Sequence, residues 1–86
     1  MYWDVIDIKP EANYCLFVRF SDGLSGRVRL DPRELTGVLE PLRDIGFFNR
    51  VYIDAGAPAW PGDIDLAPDA IYHQIAGGSG TRERAS

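Results

Sequence analysis

Cysteine and histidine occur once each in the 86 residues, as Cys15 and His73. One cysteine excludes an internal disulfide and a cysteine-based zinc site. A thiol–imidazole pair could only be Cys15 with His73, and it would need both within hydrogen-bond reach and a third group to orient the base. Cys15 falls in the middle of a strand pattern, away from any helix N-terminus that would lower its pKa, and His73 falls on the last helix. A serine elbow, a glycine-rich phosphate loop and a paired general acid and base are all missing, so the sequence predicts a protein that is not an enzyme and needs no cofactor. Signal-peptide and long apolar runs are missing too, which points to the cytoplasm. Positive charge is in short supply: nine Lys and Arg stand against thirteen Asp and Glu. Up to residue 76 the count is seven against twelve. Such a body repels a phosphate backbone, so nucleic-acid binding by the domain alone is disfavoured.

What the chain does have is a hairpin. Two alternating runs, Tyr14–Phe20 and Leu24–Leu30, flank Ser21-Asp22-Gly23. A three-residue loop ending in glycine suits a type I turn followed by a left-handed residue. The register then opposes Phe20 to Leu24, Val18 to Gly26, Leu16 to Val28 and Tyr14 to Leu30, all on one face. Cys15, Phe17, Arg19, Ser25, Arg27 and Arg29 take the other face, a half-polar surface left for water or a partner.

Around this hairpin the rest arranges as an α+β fold. Val5–Ile8 reads as a first strand ended by Lys9-Pro10, completing a three-stranded antiparallel meander. Asp31 caps a short helical crossover with Pro32 at its first position, Glu34 in capping-box spacing, and Leu30 with Leu35 as a hydrophobic staple. Further turns follow around Pro41 and at Phe47-Phe48. A second small β-hairpin pairs Val51–Asp54 with Ala57–Trp60, with Pro58 marking an edge. A C-terminal helix opens at Pro68 and runs to about Ala76, carrying Ile71, Tyr72 and Ile75 on one stripe. Residues 1–76 form one domain, and 77–86 read as a disordered Gly/Ser/Arg tail. Strand and helix phase predict a core of Leu16, Val18, Phe20, Leu24, Val28, Leu30, Leu35, Leu42, Phe48, Ile64, Leu66 and Ile71.

Two groups of residues are candidates for a site. Asp63, Asp65 and Asp69 form the one carboxylate cluster, but they lack the glycine and distal glutamate of a calcium loop, so no metal is expected. With Trp60 and Tyr72, Asp63 and Asp65 offer a possible small-molecule pocket. Phe17, Arg19, Arg27 and Arg29 make the second group, of the residue types enriched at protein interfaces.

Several segments together resemble the DUF2442 family of small bacterial proteins. They are Phe20-Ser-Asp-Gly23, Asp31-Pro-Arg-Glu-Leu35, Leu42-Arg-Asp44 with Phe48, Trp60-Pro61, and Asp63 through Tyr72. The resemblance spans about residues 3–75 and implies a compact α+β fold rather than a reaction. It also implies company: some relatives look like neighbours of a second small protein, as in toxin–antitoxin pairs, and others like fusions to a helix-turn-helix domain, which this sequence does not show. The expectation is a cytoplasmic protein-binding module, the antitoxin-like or regulatory member of a two-protein pair, with another protein as partner and a homodimer through a sheet edge as an option. A small-molecule or metal-binding module near Trp60, Asp63 and Asp65 is the alternative, and a DNA-binding regulator the second.

Overall fold

A computed structural model describes residues 2–77 and the backbone of 81 and 82. Strands β1 (Val5–Glu11), β2 (Cys15–Phe20) and β3 (Leu24–Arg29) form the antiparallel meander, and β7 (Thr81–Arg82) lies antiparallel beyond β3. The meander register agrees with the alternation: Leu16 pairs with Val28, Phe17 with Arg27 and Val18 with Gly26. Gly23 closes the turn at φ 94°, its N–H donating to the Phe20 carbonyl at 3.0 Å. The Asp22 side chain accepts from the Leu24 N–H at 2.9 Å.

β1 runs past Lys9-Pro10, where the sequence predicted its end. It is an edge strand, and a proline costs an edge strand no ladder bond when its nitrogen faces out. The turn therefore moves to Ala12–Tyr14, with Asn13 and Tyr14 both left-handed at φ 61° and 59°. Tyr14 holds this uncommon conformation with its ring against Phe48, centroids 5.5 Å apart, and its hydroxyl donating to the Arg43 carbonyl. A bulge between Val5 and Asp7 turns Val5 into the core and leaves Ile6 57 % exposed.

The crossover consists of 3₁₀ turns over Pro32–Glu34 and Gly37–Arg43, then α1 (Ile45–Phe48). Asp31 caps the first turn as expected, its carboxylate accepting from the Arg33 N–H at 2.9 Å. Asp44 caps α1 in the same manner through Gly46 and Phe47, a signal the sequence reading passed over.

The expected second hairpin gains a third strand: β4 (Tyr52–Asp54), β5 (Ala57–Trp60) and β6 (Ile64–Asp65), in that spatial order. Pro58 consequently does not mark an edge; it sits buried in the central strand. Lacking an N–H, it can only accept across to β6, from Leu66 at 3.0 Å, and β6 is correspondingly two residues long. α2 (Pro68–Gly77) then packs Ile71, Tyr72 and Ile75 onto β3 and the core.

Ten of the twelve predicted core residues are buried, while Leu30 and Leu66 are half-buried at its margin. Val5, Trp60, Tyr72 and Ile75 join the core as well. The predicted tail falls mostly outside the described residues; within them, Gly77 ends α2 and Thr81–Arg82 lie beside Leu24 and Ser25. No helix of the described residues is long and apolar enough to cross a membrane.

Candidate functional site

The meander turns one face to the core, and the side chains of its other face are half-buried or exposed. Cross-strand register arranges the open face in three rows: Asp7–Arg19–Ser25, Lys9–Phe17–Arg27 and Glu11–Cys15–Arg29. This grid carries four basic side chains and two carboxylates, whereas the remainder up to Gly77 carries three basic and ten acidic residues. Charge is segregated: a positive face sits on a negative body.

At its centre Arg27 reaches over the Phe17 ring, 5.5 Å from the centroid, to Glu11 two strands away. It binds that carboxylate in a fork, with Nε donating to Oε1 at 2.7 Å and Nη2 donating to Oε2 at 3.3 Å. The Arg27 hydrogen bond holds the Glu11 carboxyl below its ordinary value and raises the guanidinium's own pKa. Both groups stand in water, where such pairs contribute little to stability, so the pair can open for a competing carboxylate. Arg29 donates from Nε to the Asn13 carbonyl at 3.3 Å, and Arg19 lies half-buried at the other end of the grid. Desolvation raises the Cys15 thiol above its ordinary pKa, so the sulfur stays protonated and a poor nucleophile. His73 rides exposed on α2, which covers the opposite face of the sheet, so Cys15 and His73 form no catalytic pair.

The second predicted group comes together only in part. Trp60, Asp63 and Asp65 line a hollow of about 140 Å³ with Tyr52 and Asp54. Trp60 itself is fully buried, its indole N–H donating to the Phe48 carbonyl at 2.8 Å, so it serves the core rather than a ligand. Three carboxylates rim the hollow, yet no group of described acidic, His or Cys side chains converges well enough to hold a metal ion. Tyr72 is not part of it: its hydroxyl donates to Asp22, and its ring packs edge-on to Phe20 and Tyr2, at 5.0 and 4.9 Å. Tyr72 thus ties α2 to the hairpin turn. The sequence pattern singles out Phe17 and the arginines and omits Lys9, Asp7 and Glu11, for which the continuation of alternation through Pro10 is the signal.

A model of the family described as "Protein of unknown function (DUF2442)" matches residues 5–77. No curated protein and no solved structure matches the chain.

Proposed function

The chain belongs to the DUF2442 family, and on that footing we propose that it is a protein-binding module that catalyses nothing, the antitoxin-like or regulatory member of a two-protein pair in the cytoplasm. The observation carrying this reading is the open face of β1–β3, with its aromatic centre and surplus of arginine on a negative body. Arginine and aromatic side chains dominate the energetics of protein interfaces, and the Phe17–Arg27 stack supplies both at one point. The fitting partner presents carboxylates around an apolar spot: its acids replace Glu11 on Arg27 and engage Arg19, Arg29 and Lys9. Positive charge here steers an acidic protein in, while the acidic remainder of the molecule repels it from elsewhere.

The test is a comparison of the wild type with the Arg27→Ala/Arg29→Ala double variant as baits in extract of the native host. The expected result is a stoichiometric partner held by the wild type and lost from the variant, whose denaturation midpoint is unchanged. If the variant retains every protein the wild type captures, the face is only solvated surface and the reading fails.

A further inference from the structure

A second exposed feature lies away from the open face, at the edge of the other sheet. β4 is an edge strand whose three residues are all exposed, Tyr52 to 47 % and Ile53 to 37 %. Edges of this kind are usually guarded by lysine, proline or a bulge, and the outer side of β4 has none of these.

The register shows which main-chain groups the edge offers. Ala55-Gly56 is a two-residue loop, left-handed at both positions with φ 51° and 79°. In such a hairpin the flanking Asp54 and Ala57 exchange ladder bonds, and the next pair, Ile53 with Pro58, is of the non-bonded kind. Residues of a non-bonded pair turn their N–H and C=O groups away from each other. Pro58 obeys this, its carbonyl taking the Leu66 N–H from the far side at 3.0 Å. The Ile53 N–H and C=O therefore point out of the edge, and no backbone hydrogen bond among the described residues reaches them there. β1 does touch this hairpin, through Val5 N–H to the Gly56 carbonyl at 2.9 Å. That carbonyl lies trans to the Ala57 N–H, which points at Asp54, so this bond takes up neither outward group of Ile53, although β1 also comes into contact with β4.

We propose that β4 pairs with β4 of a second copy of this chain, antiparallel about a two-fold axis through Ile53, joining the two three-stranded sheets into one of six strands. On that axis each Ile53 gives its N–H and takes the other's, forming a complete bonded pair. The same register sets Tyr52 opposite Asp54 of the second copy, twice over, so no carboxylate meets its own image. Arg50, just before the strand, comes to the end where that Asp54 lies, which makes the edge self-complementary in charge. Two strands of three residues bury much less than the about 1,200 Å² of a lasting interface, so the dimer forms only at high concentration. This inference is independent of the protein-binding reading, because it uses none of the residues on the open face.

The test is sedimentation equilibrium from dilute to near-millimolar protein, with amide exchange at Ile53 followed in parallel. The wild type should rise toward twice its monomer mass, and the Ile53 amide should become protected over the same range. Ile53→Pro removes only the outward N–H, which β5 does not use, and should stay monomeric with its hairpin intact. Ile53→Lys sets like charges on the axis and should do the same, so the two variants guard against a folding defect in either. A wild type that remains monomeric throughout overturns the proposal. So does a dimer that survives both variants, leaves Ile53 exchange unchanged, or disappears only with Arg27→Ala/Arg29→Ala.

Discussion

The two sheets of this small domain are specified in different ways. The meander β1–β3 is long-stranded and, apart from the bulge between Val5 and Asp7, regular, so alternation decides which side faces the core. The sheet β4–β6 has strands of three, four and two residues, too short for alternation to choose a side. It is held instead by points: left-handed turns at Ala55-Gly56 and Gly62-Asp63, the buried Pro58-Ala59-Trp60, and the Trp60 indole on Phe48. A sheet fixed by pattern spreads its stability over many side chains, whereas a sheet fixed by points concentrates it in a few. Single substitutions should therefore have larger effects in the second sheet than on the exposed face of the first.

The largest effect is expected at Gly56. A Cβ there meets the Asp4 carboxylate at 2.9 Å on a backbone of φ 79°. Gly56→Ala should cost about 1–3 kcal/mol, combining left-handed strain with displacement of the segment that joins the two sheets. Gly62→Ala separates the two causes, since φ is 92° there but an added Cβ meets nothing within 4 Å. Urea denaturation of both variants measures the difference, and equal losses would mean that contact with Asp4 contributes nothing.

A smaller change, of opposite sign, is expected next door. Ala55 is an L-residue with a side chain held at φ 51°, the first position of a turn that favours Asn-Gly. Ala55→Asn should raise stability by about 0.5–1 kcal/mol, read as a higher denaturation midpoint at unchanged slope. No gain would show that the hairpin's conformation is imposed wholly by its surroundings.

The smallest effect is a pH dependence in the crossover. Hydrogen bonds from the Arg33 side chain and N–H lower the Asp31 carboxyl from 3.8 to about 2. A carboxyl depressed in the folded state stabilises above its unfolded pKa and loses that contribution as pH falls through the folded one. The stability difference between wild type and Asp31→Ala should thus be constant above about pH 4 and shrink toward pH 2. The change is slight, because both partners stand in water. A difference that persists undiminished in acid would assign the role of Asp31 to backbone geometry rather than charge.

The same contrast explains what could be read from the sequence. Phe17, Arg19, Arg27 and Arg29 fall on one face because period two over six residues leaves no other choice. Asp31-Pro32 announced its turn because cap and proline are local chemistry. Pro58 misled because a proline in four residues says "edge" unless a third strand is known to come, and β6 is only Ile64 and Asp65. The sequence groups Tyr72 with Trp60, Asp63 and Asp65, while its partner Asp22 lies across the fold. The left-handed Tyr14 is invisible for a similar reason: the groups its side chain meets, Phe48 and the Arg43 carbonyl, are distant in sequence.

The bond from Val5 to Gly56 has a consequence for how the chain is made. During synthesis the first strand leaves the ribosome long before residue 56 exists, so its N-terminal end must wait. The meander can zip from its own turns, by contacts close in sequence. The joint between the sheets cannot close until the second hairpin has emerged. Completion of this joint is thus tied to translation past Gly56, and until that residue emerges the Val5 amide has nothing in the second sheet to bind.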